Sequence, residues 1–163
     1  MIKSDLIEAR NPMLKKLPQF SVFMINKPGV LQQVCQELAQ AKVNITALTM
    51  MDSMEHGVLR LVVDDSAKTR DVLGRLGVPI SETDVLAVPM PNNPGAVADI
   101  CTRLANAKCR VSYAYCTAGT RGGKTIGIFK VANMARAIKV LSVAPPKRRK
   151  QGQIRRSGAS RRR

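Results

Sequence analysis

The sequence contains two copies of one pattern, at residues 26–50 and 92–116, related by a constant offset of 66 positions. Eight of the 25 aligned pairs are identical, and several others exchange one aliphatic side chain for another, as Val34 and Ile100 do. A repeat of this length indicates a folding unit of about 65 residues, used twice. It also predicts that function lies where the two copies meet.

Both copies predict the same series of elements: strand, helix, strand, strand, helix, strand. Alternating apolar residues predict the first strand over residues 19–25 and 85–90. Apolar residues at i, i+3, i+4 and i+7 predict the first helix. Asp65 and Asn133 are predicted N-caps of the second helix. The second copy has little sequence left for a last strand before Pro145.

This order is the split βαβ plan of ferredoxin-like domains. We therefore predict an α+β fold of two βαββαβ domains in tandem, with antiparallel sheets and helices on one face. The predicted segments are an N-terminal extension over 1–17, a first domain over 18–83, a second over 84–143 and a basic tail over 144–163. The tail holds nine Lys or Arg residues and no acid, and its composition predicts disorder.

Composition excludes several classes of protein. The chain is 45% hydrophobic, which is enough to build a core. No apolar run reaches 18 residues, so we expect no membrane span, and a cytoplasmic location. The four cysteines form no CxxC pair, and two of them, Cys35 and Cys101, fall on the apolar helical stripe as predicted core residues. We predict no metal site, no cofactor and no enzymatic activity, because no acid–base or nucleophile motif is present.

The repeated N-x-P-G segment is the strongest local signal. It lies between a strand and a helix, where Pro suits the first turn and Gly permits unusual backbone angles. The helix N-terminus then offers N–H groups to a carboxylate or phosphate. Asn26 and Asn92 supply a donor and an acceptor beside it, or act as helix caps. The alternative interpretation is a plain helix cap in a tight turn.

These segments resemble an ACT domain. The similarity covers residues 18–143 and rests on FSVFMINKPGVL, AKVNITAL and GVLRLVVDD in the first copy, and on VLAVPMPNNPGAV and AKCRVSYAY in the second. The resemblance implies a regulatory protein that binds a small molecule, most often an amino acid. In that family the loop between the first strand and helix holds the ligand at an interface between domains. We accordingly expect a homodimer.

The resemblance also implies the binding residues, by position. They are Asn26, Pro28, Gly29, Val30, Leu31 and Asn44 in the first copy, and Asn92, Pro94, Gly95, Ala96, Val97 and Arg110 in the second. Asn44 and Arg110 occupy the same place, at the start of the second strand, so the two sites are not equivalent. Arg110 either holds a carboxylate bidentately or fills the second pocket. The site between Asn26 and Asn44 is therefore the favoured one.

An alternative function is binding of nucleic acid or another anionic surface through the tail, by release of counterions. The residues concerned are Lys147, Arg148, Arg149, Lys150, Arg155, Arg156, Arg161, Arg162 and Arg163. RNA-recognition domains share the βαββαβ plan, but they require aromatic residues on the sheet and a motif that this sequence lacks. Tyr113 and Tyr115 share one strand face, and we predict core positions for them in preference to a cleft between the repeats.

Overall fold

The computed structural model describes residues 14–52, 56–117, 119 and 122–143. Over these residues the chain forms six strands and four helices. The strands are β1 (Lys15–Ile25), β2 (Ile45–Asp52), β3 (His56–Val63), β4 (Ile80–Pro91), β5 (Val111–Cys116) and β6 (Lys124–Val131). The helices are α1 (Val30–Gln40), α2 (Ser66–Arg75), α3 (Ala96–Asn106) and α4 (Met134–Leu141). The predicted tail, 144–163, and residues 1–13 of the predicted extension lie outside the described residues.

The strands form one sheet in the order β2-β3-β1-β4-β6-β5, and every neighbouring pair is antiparallel. The predicted α+β fold is confirmed, with the two repeats joined edge to edge through β1 and β4. At the centre of this join Pro18 pairs with Asp84, the residue 66 positions further on. On either side of it, Lys15 pairs with Ala87 and Ser21 pairs with Ser81. The offset of 66 relates Lys15 to Ser81 and Ser21 to Ala87, so it converts one pair into the other. The two repeats are therefore related by a pseudo-two-fold axis that passes through the Pro18–Asp84 pair.

The two central strands are long because each serves both repeats. The first half of β4 is the last strand of the first repeat, and its second half is the first strand of the second repeat. The first half of β1 pairs with β4 at the position of a last strand of the second repeat. Within the described residues no strand follows α4 as far as Val143. β4 runs without a break across the predicted boundary between residues 83 and 84. β1 begins inside the predicted extension, and Leu14 before it is buried in the core.

All four helices pack on one face of the sheet. In the first repeat the buried residues are Phe20, Val22 and Met24 of β1 with Val34, Leu38, Val72 and Leu73 of the helices. In the second they are Leu86, Val88 and Met90 of β4 with Ile100, Leu104, Ala137 and Leu141. The prediction that Cys35 and Cys101 are core residues is wrong, since Cys35 is only half-buried and Cys101 is exposed. Each lies on the flank of its helix, beyond the two residues that contact the sheet.

The opposite face of the sheet curls into a concave surface. Arg60 of β3 lies 4.0 Å from the ring centre of Tyr113 on β5, although a flat sheet would separate these strands by about 19 Å. Gln19, which is fully buried, donates to the Tyr113 hydroxyl at 2.6 Å and accepts from the Tyr115 hydroxyl at 3.0 Å. Around them lies a second apolar cluster of Ala47, Val62, Val85, Ala87 and Ile128. Tyr115 packs on this cluster, so the tyrosines also link the two repeats.

Candidate functional site

The first N-x-P-G segment forms a type II turn. The Val30 N–H donates to the carbonyl oxygen of Lys27 at 3.3 Å, which closes the four-residue turn. Pro28 occupies the second position of the turn. Gly29 occupies the third with φ 90° and ψ −22°, a left-handed conformation that this turn type requires. Helix α1 then begins directly at Val30.

The second segment repeats this geometry. The Ala96 N–H donates to the carbonyl oxygen of Asn93 at 3.3 Å, and Gly95 has φ 90° and ψ −6°. Asn92 ties the loop to the β5–β6 hairpin through Nδ2, which donates to the Gly119 carbonyl at 2.8 Å. The N-cap positions of α1 and α3 belong to Gly29 and Gly95, and the predicted caps Asn26 and Asn92 lie three residues before them.

The first helix of each repeat begins differently from the second. Asp65 caps α2 by accepting from the Lys68 N–H at 3.0 Å, and Asn133 caps α4 by accepting from the Arg136 N–H at 2.9 Å. Both caps confirm the prediction. Among the described residues α1 and α3 have no side-chain cap hydrogen bond. The N-cap glycines supply no side chain there, and an anion at either helix N-terminus would be stabilised by the helix dipole.

The two loops differ in charge and surroundings. The first turn of α1 contains no acidic residue, whereas the first turn of α3 contains Asp99. A Cβ atom placed on Gly29 would meet no atom within 4 Å, so the space above this turn is open. Leu31 and Ile25 are exposed apolar residues beside the same loop. Val97, the counterpart of Leu31 in the second repeat, is exposed as well, so the difference that bears on an anion is Asp99 in the first turn of α3.

The predicted binding residues do not meet in one chain. Because β1 and β4 are antiparallel, the loops that follow them lie at opposite ends of the central strand pair. Asn26 follows the end of β1 that is paired with the start of β3, whereas Asn44 lies at the other end of β3, where its backbone N–H donates to Asp64 Oδ1 at 2.9 Å. Arg110 is exposed and lies at the corresponding far end of β6.

Other kinds of site find no support in the described part of the chain. There, no group of three or more His, Cys, Asp or Glu side chains is placed to hold a metal ion. A search of the same residues finds no helix with the length and apolar character that crossing a membrane requires. Cys109 is buried, with Sγ 3.5 Å from the Asn133 carbonyl oxygen, and Cys116 is exposed.

Comparison with known proteins identifies the family. Residues 15–145 match the family model described as an ACT domain pair. This chain is a member of the ACT domain family. The resemblance seen in the sequence is thereby confirmed, and the tandem ferredoxin-like fold is the fold of a regulatory module. No curated protein matches this ACT protein.

Solved structures share this fold. A protein of Bacteroides thetaiotaomicron is 30% identical, with a TM-score of 0.72, over 78% of this chain and 88% of that one. The regulatory subunit of aspartate kinase from Thermus thermophilus, in a ligand-free form, is 15% identical with a TM-score of 0.62, over 78% of this chain and 92% of that one. E. coli aspartokinase III, in complex with aspartate and ADP, is 14% identical with a TM-score of 0.54, and the likeness covers 31% of it.

Proposed function

We propose that this ACT protein is a cytoplasmic regulatory protein without catalytic activity, and that it binds an amino acid at the loop that joins β1 to α1. Family membership supports the regulatory role. The observation that carries the choice of site is the start of α1, which lacks a side-chain cap among the described residues, lacks an acid in its first turn and has open space over Gly29.

The chemistry of the loop suits an amino acid. Its carboxylate would accept hydrogen bonds from the first-turn N–H groups of α1, at the positive end of the helix dipole. The side-chain oxygen of Asn26 is an acceptor for the ammonium group. Leu31 and Ile25, both exposed, would contact an apolar side chain. The second loop, with Asp99 in the first turn of its helix, binds the same ligand more weakly.

A complete site needs a second copy of the chain. Asn44 and the second loop both lie away from Asn26 within one molecule. We therefore propose a homodimer in which the partner covers the first loop. The exposed apolar residues beside this loop would then be buried on dimer formation, which is the usual driving force for such contacts.

A thermal-shift screen of the twenty amino acids tests the proposal. A ligand present at 100 times its Kd adds about 2.7 kcal/mol to stability, which raises the Tm of a protein of this size by roughly 5–10 °C. In Gly29→Ala the Cβ occupies the ligand space and strains the turn, so we expect the shift to disappear. Gly77→Ala is the matched control, because Gly77 also has positive φ and open space but follows α2, outside both strand–helix loops.

Two results would contradict this function. One is the absence of a Tm shift with every amino acid and with common metabolite carboxylates. The other is a shift that Gly29→Ala and Gly77→Ala reduce equally, which would show a loss of fold in place of a loss of contact. Gly95→Ala completes the set by reporting on the second loop.

A second function is proposed for the tail, on the observation of its nine cations without an acid. We propose that it binds nucleic acid without sequence preference. Binding to a 20-nucleotide single strand should weaken steeply between about 50 and 200 mM salt. It should be lost when the nine Lys and Arg residues of 144–163 are replaced by Gln. Binding retained by that variant would refute the assignment.

A further inference from the structure

One row of polar side chains crosses the concave face in the first repeat. Its members are register partners on β2, β3, β1 and β4: Thr49, Arg60, Ser21 and Ser81. Register partners in an antiparallel sheet share a face, with Cα atoms about 4.5–5.5 Å apart. We call these four residues the Arg60 row. They bring three hydroxyl groups next to one guanidinium group. Ser81 is exposed and the other three are half-buried, so solvent reaches the row.

The Arg60 guanidinium lacks acceptors. Its central carbon lies 4.0 Å from the centre of the Tyr113 ring, and Nη1 donates to the sulfur of Met51. A thioether sulfur is a weak acceptor. Nε is buried and has no hydrogen-bond partner among the described residues. The group is therefore held in place by an aromatic ring, while part of its hydrogen-bonding capacity is unused.

No carboxylate of the described chain pairs with Arg60. The two acids of β4 form ion pairs with other residues. Glu82 pairs with Arg70 at 2.7 Å, and Asp84 pairs with Lys16 at 2.8 Å. The helix-side position of Glu82 also keeps it off the concave face, because it is the register partner of the core residue Phe20. Arg60 thus places a positive charge on the concave side of β3, and within the described residues it forms no ion pair.

An apolar row lies next to the Arg60 row. Phe23, Val58 and Met51 are register partners on β1, β3 and β2, on the same face and about 7 Å further along the strands. Phe23 is 44% exposed and Met51 50%, which is unusual for side chains of this size on a sheet. Charge and apolar surface are thus adjacent, at a spacing that matches a short molecule with a carboxylate at one end.

The second repeat shows that the fold itself does not demand this arrangement. The row related to it by the pseudo-two-fold axis is Tyr115, Ile128, Ala87 and Lys15. It has no guanidinium, and its central residues are buried under Tyr115 in the apolar cluster. The open, charged row is specific to the first repeat.

We propose that the concave face binds, at the Arg60 row, a small molecule in which a carboxylate is joined to an apolar body. The carboxylate accepts from the Nη groups of Arg60 and from the Ser21 or Thr49 hydroxyl. The apolar body covers Phe23 and Met51. Its anion-binding group, Arg60, lies on the sheet and not in a strand–helix loop, so the protein has two places for the carboxylate of a ligand.

The test uses 3-phenylpropionate as the probe and 3-phenylpropanamide as its uncharged counterpart of the same shape. Both are titrated into the full chain, and NMR follows the Nε–H resonance of Arg60 with the backbone amides. The carboxylate should shift this resonance and slow its exchange with water. Because a hydrogen bond to a charged group is roughly twice as strong as a neutral one, the amide should bind at least about tenfold more weakly.

Three variants distinguish binding at Arg60 from a general effect of positive charge on ligand affinity. Arg60→Met should weaken binding of the carboxylate at least about tenfold, and Arg60→Lys, which keeps the charge without the fork, should weaken it less. Lys139→Met removes an exposed cation on α4 and should leave the Kd unchanged.

The proposal is overturned if the amide binds as tightly as the carboxylate, or if Arg60→Met changes Tm but not Kd, since Arg60 would then only hold the sheet closed. Shifts confined to the backbone amides near Gly29 and Gly95 would also overturn it, while supporting the loop site. If Arg60→Met fails to fold, the Nε–H resonance of the unmodified protein decides the question.

Discussion

The two repeats have matching backbones and different concave faces. In the first repeat the row at the centre of this face is charged and open, with Arg60 between hydroxyl side chains. In the second repeat the equivalent residue is Ile128, and Tyr115 covers it. The backbone of a repeat is fixed by turns and strand pairing, whereas side chains on a face without helices are free to diverge. The concave face is buried core in the second repeat and accessible to solvent in the first.

The strand–helix loops, in contrast to the concave faces, are alike in the two repeats. Both repeats keep the type II turn with glycine in a left-handed conformation, and both leave the following helix without a side-chain cap among the described residues. They differ in the first turn of the helix, which contains Asp99 in the second repeat and no acid in the first. The backbone geometry is shared because the turn requires it, and the surrounding charges decide which loop favours an anion.

The core is where the repeats should be most alike, and the largest effects are expected there. Leu38 and Leu104 occupy equivalent positions and are almost fully buried. We expect Leu38→Ala and Leu104→Ala each to cost about 2–5 kcal/mol. Both variants should unfold in one transition, because β1 and β4 belong to both repeats. Urea unfolding followed by circular dichroism measures both quantities.

The matched control is Leu48→Ala in β2, since Leu48 is 50% exposed. Its cost should stay well under that of either core variant. Two separate transitions in Leu104→Ala would show that the repeats fold independently, and would break the interpretation of β1 and β4 as shared strands.

The junction between the repeats should show a smaller effect. Gln19→Met keeps the volume but removes the two hydrogen bonds to Tyr113 and Tyr115. We expect a loss of about 1–3 kcal/mol, because two half-buried hydroxyl groups lose their partner. In a background of Tyr113→Phe with Tyr115→Phe the same change should cost little or should stabilise. A full cost in that background, measured by a double-mutant cycle, would mean that packing and not hydrogen bonding joins the repeats there.

The smallest expected difference concerns acid stability. The backbone N–H of Lys68, and then its side chain, hold the pKa of the Asp65 carboxyl below its usual value. A lowered folded-state pKa means that this contribution is present above the unfolded pKa near 4 and is lost as pH falls through the folded pKa. The equivalent cap in the second repeat is Asn133, which does not titrate in this range.

We therefore expect Asp65→Asn to flatten the fall of Tm between about pH 5 and pH 2, because an amide also caps a helix. Asn133→Asp should steepen it. Arg70 lowers the pKa of Glu82 in the same direction, and this background remains in both variants. Identical pH profiles for the two variants would show that the caps contribute nothing to acid sensitivity.

Sequence reasoning succeeded where the signal was local. The turn at Gly29, the caps at Asp65 and Asn133, and the series of strands and helices all follow from residues close together in the chain, and the structure confirms them. The Asn26–Asn44 site did not assemble in one chain, because the pairing of β1, β2 and β3 places these residues at opposite ends. The sequence did not predict a role for Arg60, since an Arg in an alternating strand is usually a solvent-facing residue.

The sequence alone determined the repeat, its length and the fold of each copy, because turn chemistry and apolar periodicity act over a few residues. Its offset of 66 even defines the symmetry axis, through Pro18 and Asp84. Only the tertiary structure decided that the repeats share β1 and β4 and that the sheet curls. That curl brings Tyr113 over Arg60, since side chains on four separate strands meet only when the whole sheet has formed.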